Sequence, residues 1–266
     1  MYKVISKDGT SIAYEKTGQG PAVILVAGAF MDHASFLPLA EQLAKHFTVY
    51  NYDRRGHGES DDTQPYAVQR EVEDIDALIT EAGGSAFLYG TSSGAALAFE
   101  ATAAGLGVKT LALYEPPYIA DHTGDRNPPT DAVKQLKDMM AANRRGDMVE
   151  FFMTQLVGLP AEMAAGMKRS PMWPGLEAIA HTVVYDATIS ATKNGDFLIP
   201  AQQMSKLKTP TIVINGGASW NWIQVTSKAV ADAIPGAEHR ILEGESHDVS
   251  ADVLAPALID FFSKKV

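Results

Sequence analysis

The stretch Phe87-Leu88-Tyr89-Gly90-Thr91-Ser92-Ser93-Gly94-Ala95-Ala96-Leu97-Ala98 constrains this chain more than any other. An apolar run, Ala86–Tyr89, meets Gly90-Thr91-Ser92-Ser93-Gly94, and small helix-favouring residues follow. The pattern reads as strand, sharp turn and helix, with Gly-x-Ser-x-Gly across the turn. Glycines at its two ends let neighbouring backbone pass at a distance that a Cβ forbids. Such a turn pushes the Ser92 hydroxyl outward. The helix that begins there aims unpaired N–H groups and the positive end of its dipole at the same spot, where negative charge would develop on an attacked carbonyl. Ser92 is therefore the candidate nucleophile.

Around this stretch, strand-like and helical runs alternate. Ala22–Ala27 and Thr110–Tyr114 read as buried strands, Phe47–Tyr52, Thr211–Asn215 and Glu238–Leu242 as further strands, and Tyr2–Ser6 and Ser11–Glu15 flank Asp8-Gly9 as a hairpin. Helices are expected from a Ser35 cap to Lys45, from Tyr66 to Ala82, from Trp220 to Ile234 and from Ala251 to Phe262. This alternation predicts an α/β fold, a mostly parallel sheet covered on both faces. Between residues 121 and 206 it stops. Helical periodicity takes over at Asp131–Asn143, Asp147–Val157, Ala161–Arg169 and Gly175–Tyr185, punctuated by Pro128-Pro129, Gly146, Pro160, Pro171 and Pro174. The expected organisation is a core built from 1–120 and 207–266, with a helical insertion at 121–206.

Composition narrows the function. A formal charge of −10 argues against nucleic acid or an anionic membrane as partner. The absence of cysteine excludes thiol catalysis, disulfides and cysteine-ligated zinc. No run approaches the length of a membrane span and Met1–Gly9 lacks a signal-peptide apolar region, so the expected setting is the cytoplasm and the expected partner a small molecule. The glycine-rich loop Asp53-Arg54-Arg55-Gly56-His57-Gly58-Glu59-Ser60 superficially invites a phosphate-binding reading. A dinucleotide fingerprint opens directly into a helix, whereas here a polar loop continues to Pro65, so the loop reads as structural.

The Ser92 turn, together with a helical block set into an alternating chain, resembles the α/β-hydrolase superfamily. That resemblance implies an eight-stranded sheet with a helical cap inserted after the sixth strand, and serine hydrolysis without cofactor or metal. It puts the base at His247, in Glu243-Gly244-Glu245-Ser246-His247-Asp248, between the last strand and the last helix. His46 and His239 fall within helix or strand contexts, His57 in the discounted loop, and His33 and His181 read as structural. Many superfamily members carry the triad aspartate just after the strand matching Thr211–Asn215, but here Ser219 stands at that place. A serine cannot balance an imidazolium. Glu115 ends the strand that follows the nucleophile helix, at the carboxyl edge where active-site groups collect in open sheets. Haloalkane dehalogenases and zearalenone lactone hydrolases use an acid at the end of that strand. The lactonases also share Ser-Ser-Gly-Ala and Glu-x-Pro runs, as in Ser92-Ser93-Gly94-Ala95 and Glu115-Pro116-Pro117. The resemblance thus implies the triad Ser92, His247 and Glu115, with Asp248 and Asp121 as alternative acids.

For the oxyanion hole it implies the backbone N–H groups of Ser93 and of Ala29, in Ala27-Gly28-Ala29, where Ala27 replaces the histidine usual before such a donor. Phe30, Met31, Trp173, Tyr185 and Trp220, with Trp222, are the apolar candidates for binding substrate. The implied reaction is cleavage of a carboxylic ester or lactone of a small, moderately apolar substrate through an acyl-enzyme. A C–C bond hydrolase, perhydrolase or lyase would use the same Ser/His frame, and a non-catalytic small-molecule-binding homologue would retain the fold alone.

Overall fold

Val23, Ile24, Leu25 and Val26 are all fully buried. A strand with apolar groups on both faces needs cover on both sides, and the chain supplies it. The computed structural model describes residues 1–120 and 126–264. The strands are β1 (Tyr2–Ile5), β2 (Ser11–Thr17), β3 (Ala22–Val26), β4 (Thr48–Tyr52), β5 (Ala86–Thr91), β6 (Val108–Tyr114), β7 (Thr211–Gly216) and β8 (Glu238–Leu242). They form one eight-stranded sheet in the order β1-β2-β4-β3-β5-β6-β7-β8. The pairs β1–β2 and β2–β4 are antiparallel, and every pair from β4 to β8 is parallel. The strand count, the mostly parallel sheet and the helical cover all match the expected fold.

Helices α1 (Leu37–Leu43), α2 (Val68–Glu81) and α3 (Ser93–Ala103) follow β3, β4 and β5. Between β6 and β7 lie α4 (Ala132–Ala141), α5 (Arg145–Phe151), α6 (Ala161–Met167), α7 (Trp173–Ala178), α8 (Val183–Ser190) and the short α9 (Ala201–Met204). Helix α10 (Asn221–Ala233) joins β7 to β8, and α11 (Ala251–Ser263) ends the fold. One face of the sheet packs with α2, α3 and α10, through Ile75, Leu78, Leu97 and Val230. The other packs with α1 and α11, through Leu39, Leu43, Leu258 and Phe262. A third apolar cluster, including Leu136, Val149, Phe152, Trp173 and Val184, belongs mainly to the helices between β6 and β7.

Several boundaries differ from expectation. Asp32 caps the first helical segment, not Ser35: its carboxylate accepts from Ala34 N at 2.9 Å, and a 3₁₀ turn, His33–Phe36, precedes α1. Proline at the second position of α1 fits a helix start there. The expected helix 147–157 is α5 continued by a π-helical turn, Phe152–Val157, which ends at Gly158 in the left-handed conformation. The helix read as ending at Tyr185 instead breaks near Ile179 and resumes as α8. Among the described residues, no helix is long and apolar enough to cross a membrane.

The glycine-rich loop after β4 is held by buried ion pairs. Arg55 makes a two-pronged contact with Asp74 (2.8 and 2.7 Å) and reaches Asp8 at 3.0 Å. His57 is buried in the same loop, with Nδ1 3.2 Å from the Arg55 carbonyl. Burial, reinforced by the Arg54 guanidinium, holds this imidazole below its ordinary pKa. The folded protein therefore resists a proton that the unfolded chain accepts. The contribution of His57 to stability is intact above the unfolded histidine value of about 6.5 and is lost as pH falls toward the depressed folded value. His57→Gln is expected to flatten the acid-side decline of Tm between pH about 6.5 and 5 relative to wild type. Parallel Tm curves for the two proteins over that range would remove His57 from the acid response.

Candidate active site

Ser92 sits between β5 and α3 with φ 52° and ψ −127°, in a region side chains rarely occupy. The glycines explain how the turn closes. A Cβ on Gly90 would run into the Gly94 carbonyl, and one on Gly94 would meet the carbonyls of Val26 and Ala27. Four non-glycine residues among those described have positive φ, and three of them, Phe30, Ser92 and Glu115, surround this site. Strain concentrated in this way marks positions that the surrounding fold over-determines.

Glu115 also has φ 48° and is 2% exposed, just beyond the end of β6. Its Oε1 accepts from Gly216 N at 2.8 Å and Ser219 Oγ at 2.5 Å, and its Oε2 lies 2.6 Å from His247 Nδ1. An ionised carboxylate only accepts, so Nδ1 carries the proton and the Nε2 lone pair is left available. The loop carrying His247 is pinned from below: Tyr114 Oη donates to the Ser246 carbonyl at 2.5 Å, and Ala218 N donates to Glu245 O at 2.8 Å. Ser219, at the place where an acid was expected, is thus a hydrogen-bond donor to the acid that stands across from it. Asp248 is exposed beside His247, and Asp121 lies outside the described residues.

Two cavities meet at Ser92 and His247. One, of about 310 Å³, is bounded by Ser93, Glu115, Asp186, Trp220 and Trp222 among others; the second, of about 640 Å³, is bounded by Ala29, Phe30, Met31 and Leu254. No hydrogen bond joins Ser92 Oγ to His247 in this conformation; such contacts are often long in an empty site and tighten around substrate. No backbone carbonyl among the described residues accepts from Ala29 N–H, and Ser93 N–H is the first of its helix, so both donors are uncommitted.

Of the apolar candidates, Phe30, Met31, Trp220 and Trp222 border the cavities, and two other aromatic residues do not. Trp173 is 6% exposed and turned into the apolar cluster of its own helical segment. Tyr185 stacks on Tyr66 with ring centroids 3.8 Å apart, and its hydroxyl donates to Asp62 at 2.8 Å. Helix α8 instead presents Asp186, Ala187 and Ser190 to the 310 Å³ cavity. Successive helical residues differ by about 100°, so choosing Tyr185 missed the facing residue by one position.

Asp186 is the principal residue that sequence reading missed. It is 1% exposed, and its Oδ1 accepts from Ser93 Oγ and from Arg54 Nη1, each at 2.7 Å. Arg54 is fully buried and also grips Glu71 (2.7 and 2.8 Å) and the Ala27 carbonyl (3.3 Å). Burial alone would raise the Glu71 pKa, but the Arg54 charge and hydrogen bonds hold it below the ordinary carboxylate value. Arg54 thereby links the loop before Ala29, helix α2 and helix α8, and Asp186 extends the link to the residue after Ser92. The signal was present in the sequence as a lone acid within the apolar run from Val183 to Ala187.

Comparison with known proteins agrees with this architecture. A family model described as "Alpha/beta hydrolase family" matches residues 23–257. The crystal structure of an alpha/beta hydrolase from Sphaerobacter thermophilus DSM 20745 is 49% identical, with a TM-score of 0.89 over 98% of this chain and 100% of that one. Among curated proteins, an uncharacterized hydrolase, YraK, of Bacillus subtilis (strain 168) is 34% identical over 96 residues, 35% of either chain. A pimeloyl-[acyl-carrier protein] methyl ester esterase of Xanthomonas campestris pv. campestris (strain B100) is 38% identical over 97 residues, 36% of this chain and 37% of the esterase. The matched stretches span about a third of these curated relatives. With the family model covering most of its length, and with the sheet order and the serine turn described above, the chain belongs to the alpha/beta hydrolase family.

Proposed function

We propose that this hydrolase is a serine esterase or lactonase that works through an acyl-enzyme, without cofactor or metal, on a small and moderately apolar substrate. The observation that carries this reading is the Glu115–His247 contact of 2.6 Å, at the rim of the cavities that Ser92 also borders. In this reading His247 Nε2 takes the Ser92 proton as Oγ attacks the carbonyl, and Glu115 stabilises the resulting imidazolium. The Ala29 and Ser93 N–H groups hold the oxyanion, a contribution of about 3 kcal/mol for each donor of this kind. His247 returns the proton to the leaving alcohol and then activates the water that releases the acid. The helical segment between β6 and β7 serves as a cap, and the two cavities give the acyl and alcohol portions separate room.

The test is steady-state turnover of short p-nitrophenyl esters together with stoichiometric labelling by a fluorophosphonate probe. Both are expected of the wild-type protein. A protein that takes the label but shows no multiple turnover, or that does neither, would overturn the reading in favour of a binding homologue.

A further inference from the structure

Three arginines are buried among the described residues: Arg54, Arg55 and Arg126. The first two are matched by carboxylates, Arg54 by Glu71 and Asp186, and Arg55 by Asp74 and Asp8. Arg126 differs. It is 7% exposed and borders the 310 Å³ cavity. Its Nε donates to Leu156 O at 2.5 Å, and its Nη1 donates to Pro117 O at 2.9 Å and Tyr118 O at 3.3 Å. Its guanidinium lies 4.4 Å from the ring centroid of Trp222. Among the described residues every acceptor is a neutral carbonyl, no carboxylate pairs with Arg126, and no acceptor meets its Nη2.

A guanidinium taken out of water is costly unless it is paired and hydrogen-bonded, and the described residues give Arg126 hydrogen bonds but no opposite charge. Burial pulls the Arg126 pKa down to about 9, which still leaves it cationic at neutral pH. None of the carboxylates on the same cavity wall pairs with Arg126, although Asp186 keeps one buried oxygen, Oδ2, without a partner among the described residues. Glu115 faces His247, Asp186 faces Arg54, and Asp248 is exposed. Guanidinium N–H groups pair strongly with carboxylates, and Arg126 keeps Nη2 for one beside the Trp222 ring. In a chain whose formal charge is −10, such a cation supplies local attraction for an anion that the overall field would repel.

We propose that Arg126 binds a carboxylate carried by the substrate away from the scissile bond, so that the preferred substrates are half-esters of dicarboxylic acids or lactones bearing a carboxylate arm. This rests on reading Ser92 and His247 as an ester-cleaving pair. It adds a charge requirement that the serine chemistry does not itself impose.

The experiment compares methyl half-esters of straight-chain diacids, over a series of chain lengths, with the matching dimethyl esters. For at least one length the wild-type protein is expected to show the higher kcat/KM on the half-ester, mainly through KM. Arg126→Gln is expected to lower the half-ester to diester ratio by about 10–100-fold, the worth of a hydrogen bond to a charged group. Arg126→Lys should recover part of it. A diester preference at every length, or a ratio unchanged in Arg126→Gln, overturns the proposal. Should the glutamine variant fail to fold, protection decides: free diacids should shield wild-type Ser92 from the fluorophosphonate and the matching diamides should not, and equal protection by both counts against Arg126. Ester turnover without half-ester preference removes this assignment alone. Absence of both labelling and turnover removes the esterase reading, and this proposal with it.

Discussion

Ser92→Ala is expected to lower kcat on p-nitrophenyl esters by about 10⁶-fold and to abolish fluorophosphonate labelling, with the Tm held. The size follows from what is deleted. In the proposed mechanism no acyl-enzyme forms without Oγ, and a nucleophile and base that act as a unit lose nearly everything when either is removed. The proposed oxyanion donors are backbone groups of Ala29 and Ser93 and survive the change, so a small residual rate above water is expected. The stability arm follows because the strain of φ 52° is set by Cβ, which alanine keeps, so the turn is left as it was. Retention of more than about a tenth of wild-type kcat, on protein shown to be free of contaminating esterase, would sink Ser92 as nucleophile.

Glu115→Gln is expected to cost about 10⁴-fold in kcat, as amide replacement of a triad acid does, the role proposed for Glu115. The geometry says why. Gly216 N–H can only donate, so it holds the amide oxygen in the place of Oε1 and turns the NH₂ toward His247. Facing a donor, Nδ1 must present its lone pair, the proton moves to Nε2, and the imidazole can no longer accept from Ser92. Ser219 offers a second arm to the same experiment. It touches Glu115 across the ends of β6 and β7, so Ser219→Asp in the Glu115→Gln background puts a carboxylate on the neighbouring strand end. Partial recovery of kcat above the Glu115→Gln level is expected. A Glu115→Gln enzyme with near-wild-type kcat would exclude Glu115 from orienting the base, whatever Ser92→Ala had shown.

The fold was legible because its signals are local. Each buried strand is an apolar run, and the serine turn is written in five residues. The Glu115 site was legible for a related reason: the place after β7 holds a serine, and one other acid ends a neighbouring central strand. What escaped depends on rotation and distance. Whether Tyr185 or Asp186 faces the cavity is decided by helical phase, and a 3₁₀ turn just upstream resets that phase. The partners of Arg54 lie 17 and 132 positions away in sequence, and no spacing rule joins them. Trp173 has the composition of a pocket residue, yet its helix has an apolar core of its own to fill.

The Arg54 linkage carries a mechanical consequence. Drawing α8 off the reaction floor would separate Asp186 from both Ser93 and Arg54, leaving a carboxylate and a guanidinium mismatched in a dry interior, a penalty of about 3–5 kcal/mol for a buried pair broken in this way. Helix α8 is therefore a fixed pillar rather than a moving door. Among the described residues no carboxylate–guanidinium pair holds the π-helical turn, whose Phe152 and Val157 border both chambers; its backbone is tied instead by the Arg126 hydrogen bond to the Leu156 carbonyl.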